Sequence, residues 1–326
     1  MRDARLAMLI VMGLSSAIIA ELPAIAQTYP RSSVKIIVSI PPGGVGDVVT
    51  RLVSQQLQTA WKVPVVVENR PGGNAAIAAQ AVARSAPDGH TFLVAPDAAF
   101  TSSPFLSINK LPYSLDEFTP ITVLVRLTPV LAVNASLPVK TVEDLVALSK
   151  SRPGSLSYGS FGAGTYTHLS MEDFKQRTGA DLLHVPYRGS GPAITDLLSG
   201  QISAVFASLS TVEEHAKAGS LRIIAAATKE RLPDYSDLPT VADSGIANFE
   251  TSAWFGLFGP ANMPTELAER IRHDVSLALA TPESIEFFRK NTIQRIDMPL
   301  AGFARLIRRD AEHWGALIKS IGLKLD

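Results

Sequence analysis

Residues 39–51, read SIPPGGVGDVVTR, gather three glycines, two prolines and an aspartate between two apolar patterns. The run Val34-Lys35-Ile36-Ile37-Val38 before them predicts a buried strand. Val48, Val49, Leu52, Val53 and Leu57 after them recur at the i, i+3, i+4 spacing of a helix. A strand that turns through glycines into a helix leaves backbone N–H groups unpaired beyond the strand end, and the helix dipole favours negative charge there. The chemistry on offer at Pro42, Gly43, Gly44, Val45, Gly46 and Asp47 is therefore anion binding. It is not the phosphate-loop signature, because no Gly-Lys-Ser/Thr follows, and the glycines lack the G-x-G-x-x-G spacing of dinucleotide sites. The plainer reading of the same residues is a tight strand-to-helix turn with Asp47 as the helix N-cap.

A second stretch repeats the pattern. Ser160, Phe161, Gly162, Ala163, Gly164 and Thr165 follow a short apolar segment and precede another helical pattern. They predict an opposing anion-binding turn, or a flexible turn in which Thr165 caps the helix; a cap leaves the other amides free. His168 lies one helical turn further on, placed either to hydrogen-bond inward or to serve as a structural histidine. Tyr187 and Ser190 sit in a third such turn and are candidate contacts.

The elements that must position these turns alternate regularly. Strands are expected at 64–67, 91–95, 118–124, 130–134, 155–159, 182–186, 202–206, 221–227 and 252–259. Helices are expected at 74–84, 141–149, 168–177, 193–198 and 212–218, with Thr141 as an N-cap. Three more, 264–280, 282–290 and 299–321, each open with a proline near the first turn, where its missing N–H costs nothing. The alternation predicts an α/β fold with mostly parallel strands. Its two halves share one plan, so their matching turns can face each other across a cleft at the strand ends.

Composition narrows the function. The chain has 326 residues, 46% apolar and 18% charged, with thirty basic against thirty acidic side chains and no cysteine. Two soluble domains are expected. Nucleic acid is not an expected partner, and thiolate chemistry, disulfides and iron–sulfur clusters are excluded. Arg2 and Arg5, the apolar residues 6–20 and the small residues Ala24 and Ala26 predict a secretory signal peptide, residues 1–26, cleaved after Ala26. The protein is then expected in the periplasm. There is no G-x-S-x-G elbow, and the six histidines show no H-x-x-x-H spacing. No catalytic residue, metal or cofactor is expected.

Pro41-Pro42-Gly43-Gly44-Val45-Gly46-Asp47 resembles the P-A-G-G-G-x-D loop of the Bug family, the periplasmic solute receptors of tripartite tricarboxylate transporters. The resemblance continues through Val65-Val66-Val67-Glu68-Asn69-Arg70-Pro71-Gly72, Ala86-Pro87-Asp88-Gly89, Ser157-Tyr158-Gly159-Ser160 and the turn after it. It also takes in His184-Val185-Pro186-Tyr187-Arg188-Gly189-Ser190 and Trp254-Phe255-Gly256-Leu257-Phe258. It implies a two-domain periplasmic-binding-protein (type II) fold, with residues 27–128 and 250–326 in one domain and 129–249 in the other. It also implies a monomer that closes by a hinge on a small organic acid held by backbone amides and waters. The ligand would pass to transporter membrane subunits or be reported to a sensor protein.

This chain departs from the family at several points. Val45 replaces a glycine and Gly46 a common threonine, so ligand choice is expected to turn on them. Pro96-Asp97-Ala98 replaces a small polar run, which makes Asp97 a candidate to accept from a ligand amine or hydroxyl, or to repel a second carboxylate; its plainer reading is a solvated loop aspartate. Ala207 and Ser208 stand where Asp-Asn is common, in a segment expected to meet the ligand.

Overall fold

The computed structural model of the chain describes residues 29–251 and 253–325. The expected signal peptide, residues 1–26, lies outside them. The chain begins with β1 (Val34–Val38), α1 (Val45–Trp61), β2 (Val65–Asn69), α2 (Ala76–Ala83) and β3 (Thr91–Pro96). Two short helices follow, α3 (Ala98–Thr101) and α4 (Ser103–Leu106), then β4 (Phe118–Arg126). A second run comprises β5 (Pro129–Asn134), α5 (Val142–Ser151), β6 (Ser157–Ser160), α6 (Tyr166–Thr178), β7 (Leu183–Pro186), α7 (Ser190–Ser199), β8 (Ala204–Ser208), α8 (Leu209–Lys217) and β9 (Leu221–Ala226). The chain then returns through β10 (Trp254–Pro260) to α9 (Thr265–Leu279), α10 (Pro282–Lys290) and α11 (Leu300–Ile321).

The strands form two five-stranded sheets, ordered β2-β1-β3-β10-β4 and β7-β6-β8-β5-β9. Each is mostly parallel with one reversed strand: β10 runs against both its neighbours in the first sheet, and β5 against both of its own in the second. Helices cover both faces, so strand residues are buried on alternate sides. In β1, Val34, Ile36 and Val38 enter one core while Ile37 enters the other. In β8, Phe206 and Ala207 likewise belong to opposite cores of the second sheet. The chain passes between the sheets twice, from Arg126 to Pro129 and from Ala226 to Trp254. An ion pair of 3.1 Å between Arg126 and Glu250 ties the two passages together.

The periodic segments form the elements expected of them. Thr141 is the N-cap of α5, and its hydroxyl accepts the Asp144 N–H. The short helices α3 and α4 carry no periodic signal in a Ser-Ser-Pro stretch. Packing creates them: Phe100 is buried among the rings of Tyr113, Phe118 and Phe258. The two halves also meet directly, where Leu169 of α6 packs with Leu106 and with Trp314, Leu317 and Ile318 of α11.

Candidate functional site

A cavity of about 360 Å³ lies at the carboxyl ends of β1, β2, β3 and β6, with walls from both halves. The first half contributes Ser39, Ile40 and Pro41 after β1, then Pro71, Gly72, Asn74 and Ala75 after β2. Pro96, Ala98, Ala99, Ser103 and Leu106 follow from the end of β3, α3 and α4, with Leu325 from beyond α11. The second half contributes Ala163, Gly164 and Thr165. Depressions of about 680 and 700 Å³ occur along α11 and beside Tyr29, but each is lined by the first half alone. Only a cavity walled by both halves can be completed or opened by their relative motion. Two others, of about 160 Å³ beside Arg177 and His313 and about 460 Å³ beside Arg126 and Thr228, are also shared, but neither includes a residue of the glycine-rich turns.

The first glycine-rich loop borders this cavity through Pro41, while Pro42, Gly43 and Gly44 continue from it exposed to solvent. Asp47 is not the N-cap. Gly44 takes that position, and Asp47 lies in the first turn of α1, buried, reaching back to accept the Gly43 N–H at 2.9 Å. Asn69 (2.8 Å) and Arg51 (3.2 Å) also donate to it, pinning the loop to the end of β2. Burial opposes its charge, but the hydrogen bonds from Arg51, Gly43 and Asn69 prevail and hold the carboxyl below its ordinary range. With these partners its carboxylate faces the protein.

Val45 and Gly46 also turn inward. The Val45 side chain packs on the core beneath α1. A Cβ on Gly46 would lie 2.5 Å from the Phe255 ring, so this position is fixed by close approach of α1 to β10. Neither lines the cavity, and what they retain towards the strand ends is their N–H groups.

The second turn is braced from behind. Ser160 is fully buried, and its hydroxyl lies 2.7 Å from His184 Nε2. Phe161 donates its N–H to Thr167 Oγ1, and Thr165 Oγ1 donates to the Gly162 carbonyl. His168 is a structural histidine, 3% exposed, whose Nδ1 accepts the Gly164 N–H at 3.0 Å. Its ring stacks on that of His184, with centroids 3.9 Å apart and planes 8° from parallel. Burial and the neighbouring His184 push the His168 pKa down to about 4, and burial lowers that of His184 too. Much of the turn's polar capacity thus holds its own shape, and Ala163, Gly164 and Thr165 are its residues at the cavity.

The remaining candidates lie elsewhere. Asp97 is neither solvated nor on the cavity wall, although Pro96 and Ala98 beside it are. It sits 5% exposed at the start of α3, and burial, with the Asp310 charge adding to it, holds its carboxyl well above the carboxylate range. Tyr187 is half-buried and donates to Asp196 at 2.6 Å, while Ser190 is exposed at the start of α7. Ala207 is core, by strand alternation, and Ser208 shares its hydroxyl hydrogen bonds with Thr211 and Ser210 at the start of α8. Sequence reasoning missed Ser39, Asn74, Leu106 and Leu325. Ser39 and the turn after β2 share the carboxyl-end position that singled out the glycine loop; Leu106 and Leu325 carry no such signal.

The architecture and the cavity define a two-lobed receptor of the binding-protein class. A family profile described as the tripartite tricarboxylate transporter family receptor matches residues 49–323. Protein BugT of Bordetella pertussis is 31% identical over 93% of both chains. The solved structure of R. palustris Rpa4515 with adipate is 30% identical, covers 91% of this chain and 99% of its own, and superposes with a TM-score of 0.80. MatC from Rhodopseudomonas palustris with bound malate is 26% identical, covers 89% of this chain and 100% of its own, with a TM-score of 0.76. This chain belongs to the tripartite tricarboxylate transporter receptor family, whose Bug-type members are periplasmic solute-binding proteins.

Proposed function

We propose that the chain binds a small carboxylated organic solute in the cavity between its two sheets and presents it to the membrane subunits of a transporter. One domain comprises residues 27–128 and 250–326, the other 129–249. The two passages between the sheets form the hinge on which the lobes close. The leader at residues 1–26 directs the chain to the periplasm. The observation that carries this reading is a cavity walled by carboxyl strand ends of both lobes, where helix N-termini of both offer N–H groups to an anion. Relatives solved with adipate and with malate support the ligand class. Binding, not turnover, is the function of such a site, in line with a family of receptors.

The test is a thermal-shift screen of the mature chain, from Gln27, against mono-, di- and tricarboxylates, with each solution assayed for product. A ligand at a hundred times its dissociation constant stabilises by about 2.7 kcal/mol. A shift without turnover is expected. Silence from every carboxylate would overturn the ligand class, and product formation would make the protein an enzyme.

A further inference from the structure

The cavity's charge inventory is unusual for an anion site. No Arg, Lys or His side chain, and no acidic one, lines it among the described residues. Its positive potential comes from the backbone. Ala75 is the N-cap of α2 and Thr165 the N-cap of α6, so one helix start from each lobe borders the same space. A helix N-terminus carries roughly half an elementary charge, and two of them supply about one. Ser39 provides an independent pointer. It is 5% exposed, it lines the cavity, and its Oγ has no hydrogen-bond partner among the described residues. A buried hydroxyl left unpaired costs free energy that a ligand oxygen would recover. Much of the remaining wall is apolar: Ile40, Pro41, Pro96, Ala98, Leu106 and Leu325.

Deepening the receptor reading above and resting on it, we infer that the site selects acids with a single carboxylate on an apolar aliphatic or aromatic body, and that Ser39 is a specificity-determining donor to that carboxylate. One charge is matched by the two helix starts and the hydroxyl. A second or third carboxylate would lose its hydration against apolar walls with no cation to face it. The body of the ligand packs instead on Leu106 and Leu325, where desolvation favours binding.

The experiment is calorimetric titration of the mature protein and of its Ser39→Ala variant with hexanoate, benzoate, adipate, malate and citrate. Hexanoate or benzoate is expected to bind at least about ten-fold more tightly than adipate, with citrate weakest. Ser39→Ala is expected to weaken the monocarboxylate about ten-fold, the scale of one hydrogen bond to a charged group. Its unliganded Tm is not expected to fall, because the hydroxyl it removes has no partner. Tighter binding of adipate, malate or citrate, or equal affinity in the variant, would overturn the inference and leave the receptor reading standing. Failure of all five acids to bind would overturn both.

Discussion

Asp97 shows how a single side chain can change meaning once its surroundings are known. Beside Pro96 in a loop it reads as a ligand contact or a solvated charge, but α3 turns it away from the cavity towards Asp310. Its raised pKa has a definite consequence. A carboxyl held above its unfolded value contributes stability at pH below that value and loses it as pH rises through the folded pKa. Asp97→Asn keeps the shape and removes the ionisation. The variant should therefore melt higher than the parent at pH 7, by roughly 1 kcal/mol or more in stability, and the difference should shrink towards pH 4. Calorimetry at the two pH values checks the sign, and unchanged ligand affinity is expected alongside. Gly46 carries the same lesson. The sequence shows a missing hydroxyl, whereas the structure shows a missing Cβ that Phe255 requires.

At the scale of elements, the second turn with α6, β6 and β7 forms one device. His168 holds Gly164, His184 meets Ser160, and Tyr158 stacks over His184 at 4.9 Å while donating to Glu172. Glu172 and Lys175 are the charged groups acting on this stack. A proton on His168 Nδ1 would displace the Gly164 N–H and set a positive charge beside His184. With a folded pKa of about 4 against 6.5 unfolded, the neutral ring stabilises the fold fully above 6.5. That contribution fades as pH falls towards 4, by up to roughly 3 kcal/mol. Denaturant midpoints across this range should fall accordingly and ligand affinity should drop with them; His168→Gln should flatten both. The strand–turn–helix units were legible in the sequence because their periodicities are local, as the matching bounds of β1 and α10 show. The cavity wall was less so. Leu106, Leu325 and Gly164 are brought together only by tertiary packing, and the unpaired state of Ser39 is visible only once every neighbour is placed.

Across the whole molecule, two similar sheets are joined by a short passage from Arg126 to Pro129 and a long one from Ala226 to Trp254, with α11 lying against both lobes. Repetition of the strand and turn grammar made this duplication readable, and β10 returns the chain to the first sheet between β3 and β4. Ser102 Oγ of the first lobe donates to the Gly164 carbonyl of the second at 3.1 Å, beside the packing of Leu106 on Gly164. This clasp joins the lobes at the turn that walls the cavity, yet Ser102 is not itself part of that wall. It therefore acts on time rather than on recognition, since a bound solute escapes only as fast as the clasp lets go. Ser102→Ala should shorten the residence time of a solute about five-fold in stopped-flow displacement, the kinetic equivalent of one neutral hydrogen bond, while the rank order of solutes stays the same.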